Sequence, residues 1–326
     1  MRLLVIYLCT LCLIVSCGDE KTGTPTLPSM TGGLNEVVIV LDEHLWQASP
    51  GDTLRKVLGA EAPGIPWQEP LFDLVQIPKK AFSRIFKTHR NLILFEKGSK
   101  TDVGFQHNLY AKGQLVTLIT YSKPSELPLL LQQYAPIMAY RFQEIEKDRQ
   151  QAEMPLQKGL DAVFNKHGFS LSVPKDYHLA LDTGTFSWLE YSPADKEIIQ
   201  GIFMYEISGD FEFNTWGLLA ERDKQLQQYV PGRVSGSYMI TDRLISPWVK
   251  HTENMGYSAL EIKGVWKMQN DFMGGPFVAH YLHDTAHQKV IAIEGFLFNP
   301  GFNKRDRMQL LQLVLESAKK LPQVTK

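Results

Sequence analysis

Glu36-Val37-Val38-Ile39-Val40-Leu41 is the stretch on which the fold turns. Four of its six residues are β-branched and only Glu36 is polar. The run is too short for a helix and apolar at successive positions, so it reads as a buried strand. Downstream, Ser49-Pro50-Gly51-Asp52 reads as a helix start, with Ser49 as N-cap and Pro50 at the first position. Leu54, Val57 and Leu58 form that helix's inner face, and Gly59 closes it. Three prolines between Ala60 and Pro70 make a loop.

Strands are expected over Leu71–Ile77, Asn91–Phe95 and Leu115–Thr120, the last antiparallel to a strand near Phe105–Tyr110. Pro78 should open a second helix with Phe82, Ile85 and Phe86 facing inward. A long helix starts near Ser125, where Leu127, Leu131, Tyr134, Met138 and Phe142 keep a 3–4 spacing. Pro136 should kink it. From Glu144 to Glu153 the side chains are nearly all charged or amide, so that end is expected to project into solvent. A domain boundary falls near Pro155.

In the second half, Leu160, Val163 and Phe164 read as a helix ending at Gly168. Phe169 to Pro174 alternates as a half-buried strand does. Strands follow over Tyr177–Leu181, Phe186–Tyr191, Ile198–Ile207, Ser237–Ile240, Ser258–Met268, Phe277–His283 and Val290–Phe298. A helix spans about Asn214 to Tyr229, and Asn303 caps a last one through Met308, Leu311 and Leu315. The expected class is α+β, with two mixed or antiparallel sheet layers and packed helices.

Upstream of the first strand the chain reads as an export signal. Arg2 supplies the charge, and Leu3 to Val15 gives 13 positions with Thr10 the only clearly polar one. A spanning helix needs about 20 apolar residues; this run suits a signal core instead. It ends at Val15-Ser16-Cys17-Gly18, which resembles the looser lipobox of bacterial lipoproteins. That resemblance implies cleavage before Cys17 and lipid on its sulfur, and two or three acyl chains anchor stably. Asp19-Glu20 resembles a Bacteroidetes signal for surface display, which points to the outer membrane with the leaflet left open. The expected organisation is a signal at 1–16, a lipidated tether at 17–33, an α+β domain at 34–155 and a second at 156–326. Sixteen flexible residues, Gly18 to Gly33, would spread on the order of 20–25 Å.

Composition narrows the function classes. Three cysteines occur, Cys9, Cys12 and Cys17; on the lipobox resemblance the first two would leave with the signal and lipid would consume the third. Disulfides, cysteine zinc sites and thiol nucleophiles are thereby excluded from the body. Without Arg2, 33 Lys and Arg face 35 Asp and Glu, a balance of −2. Such a body has no field for nucleic acid or for charged bilayers. Its expected partners are the membrane, through lipid alone, and an envelope protein or a glycan. The 11% aromatic content fits a glycan- or partner-binding surface and fits a well-packed sheet equally.

Motifs for chemistry are sparse. Asp42, Glu43, His44 and Trp46 follow the first strand, where sites of α/β layers often sit, and a carboxylate beside an imidazole suits acid–base work. They are the candidate site, against the plainer reading of a polar loop with one aromatic anchor. His280, His283 and His287 are dense, but a strand puts the first two on opposite faces, so they read as solvated turn histidines. Gly232-Arg-Val-Ser235-Gly236 has the wrong spacing for a nucleophile elbow, and no glycine pair carries a phosphate-loop lysine. The acids Asp182, Glu190, Glu206, Glu261 and Glu294 could pair as in glycosidases, against the plainer reading of solvated strand faces. No metal site and no cofactor is expected.

Several segments carry a family resemblance: Asp42-Glu43-His44-Leu45-Trp46, Gly51-Asp52-Thr53-Leu54-Arg55, Pro63-Gly64-Ile65-Pro66, Glu69 to Asp73, and His89-Arg90-Asn91-Leu92. With them the mature chain resembles a Bacteroidetes lipoprotein family, domain of unknown function 4837, which implies no activity. Phe169 to Pro174 followed by Tyr177 resembles the opening of the PsbP-like fold, an antiparallel sheet between helices that mostly serves binding or assembly. The expected function is a lipid-anchored, non-enzymatic envelope binding or assembly module. The alternative is an envelope hydrolase with its carboxylate and His at the first strand's end.

Overall fold

A computed structural model describes residues 26–209 and 211–322. The signal and Cys17 lie outside the described residues. The chain is α+β, built on a mixed five-stranded sheet and an antiparallel eight-stranded sheet, with a further two-stranded antiparallel pair.

The first half contains β1 (Glu36–Val40), α1 (Glu43–Trp46), α2 (Ser49–Leu58), β2 (Asp73–Ile77), α3 (Arg84–Lys87), β3 (Asn91–Lys97), β4 (Asp102–His107), β5 (Leu115–Tyr121) and α4 (Leu127–Glu153). The strand order is β2-β1-β3-β5-β4. Only the edge strand β4 runs antiparallel, against β5. Because β1 is covered on both faces, it is apolar and buried from Val37 to Val40. Val37 and Ile39 pack under α2 and α4 with Leu54, Met138 and Phe142. Val38 and Val40 face Phe82 and Phe86.

Four local expectations change. Ser49 is the first helical residue and Ala48 the N-cap, so the helix starts one residue early. The helix expected after Pro78 is a 3₁₀ turn, Lys79–Ala81, and the single turn α3, which leaves Ile85 exposed. The charged end of α4 does not project freely: Glu146 and Arg149 are buried. Their partners are Asn91 and the Arg90 backbone, supplied by the start of β3. Part of the expected tether is docked, since Thr31 N–H donates to Thr88 O and Lys112 N–H to Pro28 O. Gly32 (φ +97°) permits this, because a Cβ there would stand 2.4 Å from the His89 ring.

The second half runs α5 (Asp161–His167), β6 (Phe169–Ser170), β7 (His178–Asp182), β8 (Phe186–Tyr191), β9 (Ile199–Ser208), α6 (Thr215–Tyr229), β10 (Tyr238–Thr241), β11 (Trp248–Asn254), β12 (Tyr257–Gln269), β13 (Gly274–Asp284), β14 (Lys289–Phe298), α7 (Arg305–Glu316) and β15 (Lys319–Lys320). The large sheet has the order β10-β12-β13-β14-β9-β8-β7, with β11 also on β12. Its pairs are all antiparallel. Alternation sorts its residues by face. Val278, Leu282, Ile291 and Ile293 meet α5 and α7. Phe277, Ala279, Tyr281, Val290 and Ala292 meet α6.

The helix α7 is not capped by Asn303. Its first backbone N–H groups are taken by Glu69 from the first half: Lys304 N lies 2.8 Å from both carboxylate oxygens and Arg305 N 2.7 Å from Oε2. An acid at a helix N-terminus satisfies orphan donors and meets the positive end of the helix dipole. Arg305 in turn donates to Pro70 O and Asp73 Oδ2, each at 2.8 Å. Asn35 donates to Asp306 and Gln309.

Candidate functional site

The contacts just described hold the two halves around a cleft. Its cavity is about 250 Å³. The floor comes from β12. Glu261 and Lys263 are two apart, so both face α7, while Leu260 and Ile262 face the core on the other side. Walls come from α4 (Tyr140, Gln143, Lys147), α7 (Gln309, Gln312), the 62–65 loop, and Trp248 on β11. Gly64 (φ +76°) lets that loop lie on the Lys263 stem; a Cβ would meet Lys263 Cβ at 2.4 Å.

The floor is a buried ionic cluster. Register places Glu261 directly opposite His280 on β13. His280 Nε2 is 3.4 Å from Glu261 Oε2, and Lys263 Nζ is 3.3 Å from Oε1. The Asn254 amide gives one hydrogen to Leu315 O and the other to His280 Nδ1, each at 3.0 Å. Nδ1 therefore accepts, and the ring proton sits on Nε2, toward the carboxylate. Burial would raise the Glu261 carboxyl, but His280 and Lys263 override it and hold it at about 2. Burial lowers the Lys263 ammonium, with Glu261 opposing. Lys263 also donates to Gln312 Oε1 at 2.7 Å and lies 4.9 Å from the Trp248 ring centre. Desolvation would lower Lys147, but Glu316 and Glu144 raise it.

The cluster is suited to holding a polar ligand. Glu261 remains ionised through the neutral range, so it accepts hydrogen bonds but is a poor proton donor. Five carboxamides line the cleft: Asn35, Gln143, Gln150, Gln309 and Gln312. A carboxamide can pair a donor with an acceptor, although Asn35, Gln309 and Gln312 already share protein partners.

The residues read from sequence lie elsewhere. Asp42, Glu43 and His44 are exposed, and none of them lines the cleft. Glu43 accepts from Gln47 at 2.7 Å, one turn on, and Trp46 packs under the Arg55 guanidinium at 4.4 Å. The histidines separate as the strand geometry requires. His280 is buried rather than solvated, His283 stacks on Phe213, and His287 meets Asp284. Glu261 and Glu294 are likewise buried, not solvated. Among the described residues no group of three or more His, Cys, Asp or Glu is placed to hold a metal.

Fold and site together define an α+β protein whose two halves share a polar cleft. Residues 157–317 match the family model described as domain of unknown function DUF4837, and residues 30–155 match a second, DUF8532. The likeness to the first family thus covers the second half alone. The segments quoted for it, from Asp42 to Leu92, all fall in the stretch matched by the second. Among solved structures the chain is similar to "LpqN involved in cell envelope biogenesis of Mycobacterium tuberculosis", at 13% identity over 47% of this chain and 83% of that one, with a TM-score of 0.28. It is also similar to a protein from Bacteroides thetaiotaomicron VPI-5482, at 11% identity, 49% and 48% coverage and a TM-score of 0.25. At those scores neither carries a functional argument. No curated protein matches the chain in sequence. No helix of the described residues is long and apolar enough to cross a membrane.

Proposed function

We propose that this chain is a lipid-anchored protein of the cell envelope that binds a glycan in the cleft between its halves, without catalysing a reaction. The observation that carries the reading is the cleft lining: Trp248 and Tyr140 beside five carboxamides and an ionised Glu261. Aromatic faces give apolar area with little entropy to lose, and carboxamides meet hydroxyl groups as donor and acceptor at once. A volume of about 250 Å³ lies just below the ~300–1,000 Å³ usual for drug-sized ligands, so it suits one sugar-sized ring. An envelope protein that presents such a group is the other partner this reading admits.

The hydrolase reading rests on Asp42, Glu43 and His44 at the first strand's end; they are exposed and line no part of the cleft, and Glu261 there, held at about 2, is a poor proton donor. The antiparallel sheet between α6 and α7 supports the PsbP-like reading of the second half. The sequence Ser16-Cys17-Gly18-Asp19-Glu20 supports lipidation at Cys17 and an outer-membrane address of the Bacteroidetes kind.

Two experiments test this. Trp248→Ala should weaken retention on a saccharide array at least about tenfold. Its Tm should stay within ~3 °C, because Trp248 is only half-buried on an outer strand. An array with no binder, together with turnover of any glycoside, would overturn the reading. Cys17→Ala should move the protein from the membrane pellet to the supernatant with an unchanged circular dichroism spectrum. Retention in the pellet after a salt wash would show that a partner, not lipid, holds it.

A further inference from the structure

A near-neutral chain can still carry an uneven surface. The crossover from β2 to β3 covers the sheet face opposite α4 with two short turns. Its Ala81, Phe82 and Phe86 pack inward on Val38, Val40 and Leu92, with Tyr110 from the β4–β5 loop. The cations between them face out: Lys79, Lys80, Arg84 and Lys87 are exposed, and so is Lys112, two residues after Tyr110. Lys87 Nζ lies 5.6 Å from the Tyr110 ring centre, which joins the crossover to that loop. From Leu74 to Phe95 the chain carries no acid. Among the described residues none of the five cations is ion-paired; the pairs formed nearby are His89 with Glu36 and Arg90 with Glu146. Two carboxylates flank the face, Glu36 and, beside Tyr110, Glu96. The cations outnumber them.

Two further observations say what covers this face. Ile85, set between Arg84 and Lys87, is 76% exposed; an apolar side chain ringed by cations suits the boundary between head groups and acyl chains. The tether also comes down on this side. Thr31 N–H donates to Thr88 O and Lys112 N–H to Pro28 O, both at 2.8 Å, so the chain enters the body between the crossover and Lys112. Cys17 stands eleven positions before Pro28. Fully extended, that length reaches at most ~40 Å, so lipid on Cys17 would hold this face near the bilayer.

We infer that this face is the one the protein lays on its membrane. Lys79, Lys80, Arg84, Lys87 and Lys112 sit on anionic phospholipid head groups, and Ile85 enters the interface between them. The inference rests on the lipid-anchor reading for what brings the face to the bilayer, but the contact itself needs no lipid on Cys17. Each cation near an anionic surface is worth roughly a fivefold gain in affinity, which salt screens. Five of them bind more weakly than one myristoyl chain, itself marginal. The patch therefore orients a body that lipid already holds and does not replace the anchor.

The test uses the chain from residue 17 onward with Cys17→Ala, so that a failure of lipidation and a failure of this contact are read separately. Flotation with vesicles of phosphatidylethanolamine and phosphatidylglycerol at about 50 mM salt should carry the protein up, and about 500 mM salt should release it. Vesicles of phosphatidylcholine should not bind it. Lys79→Gln, Lys80→Gln, Arg84→Gln and Lys87→Gln together should weaken binding at least about a hundredfold. Lys56→Gln, Lys158→Gln, Lys175→Gln and Lys196→Gln together remove the same charge from other exposed positions and should leave it unchanged. With Ile85→Cys added, the chain has a single thiol for an environment-sensitive dye. Its emission should rise on the anionic vesicles, while a dye at Leu129→Cys, exposed on α4 across the sheet, should not respond. No flotation at low salt overturns the inference. So does equal loss in the two quadruple variants, or flotation with a silent dye at Ile85→Cys. Binding to a single-stranded oligonucleotide as tight as to the vesicles would assign a general polyanion surface and overturn it as well.

Discussion

Arg222→Met is expected to destabilise the protein by ~3–5 kcal/mol in chemical denaturation, the loss that follows when one partner of a buried pair is removed. Arg222 projects from α6 onto the sheet, where it and Glu294 are both fully buried. The pair is bidentate: Nε to Oε2 at 2.8 Å and Nη2 to Oε1 at 2.5 Å. Nη1 donates to Thr241 Oγ1 at 3.0 Å, and the guanidinium lies 4.0 Å from the centre of the Phe277 ring. Burial pushes the Glu294 carboxyl above its ordinary range even with the arginine present. Without it, the folded protein should hold Glu294 protonated. A carboxyl whose folded pKa is raised contributes stability below its unfolded value, near 4.3, and loses it as pH rises through the folded value. The variant should therefore lie closer to the wild type at pH 5 than at pH 8. Arg222→Met with Glu294→Leu should recover most of the loss, since well-packed apolar pairs often replace buried ion pairs without cost. A double variant as weak as the single one would assign the loss to packing, not charge.

Arg149→Met should cost about 3 kcal/mol, at the lower end of the same range, because Glu146 keeps a second cation. Arg149 Nη1 donates to Glu146 Oε1 at 2.8 Å and to Asn91 Oδ1 at 3.0 Å, and Nη2 donates to Arg90 O at 2.9 Å. Removing it strands the Glu146 carboxylate, 2% exposed, with the Arg90 Nε at 3.3 Å as its remaining ion partner. It also frees the C-terminal turns of α4 from the start of β3. Hydrogen exchange should then rise first in residues 144–153, and protection there equal to the wild type would refute the docking role.

That helix end shows where sequence reading stops. Its composition is that of a solvated face, and nothing local distinguishes Glu146 and Arg149 from Glu144 and Lys147. Burial comes from partners about 55 residues upstream. The strands, by contrast, were legible because period and apolar run are local signals: β1, β9, β12, β13 and β14 fall within a few residues of expectation. The strand β11 was missed since Trp248-Val-Lys-His-Thr-Glu-Asn254 covers little apolar surface and shows only weak alternation. The cleft was illegible for the same reason as the α4 end. Its lining residues run from Asn35 to Leu313, so only tertiary structure gathers them. One local signal was available: Glu261 and Lys263 sit in mid-strand between Ala259 and Val265 on the same face.

The carboxylate of Glu69 on the N-terminus of α7 has a consequence for dissection. The two family models part cleanly at about residue 156, which invites expression of each half alone. Cut there, the later piece would keep every strand of its sheet but open its last helix with bare amides. Arg305 would lose Pro70 and Asp73 and keep only Asp306 beside it. The seam visible to sequence comparison is thus not the seam along which the folded matter divides: a piece bounded by homology would carry an amputation at its final helix.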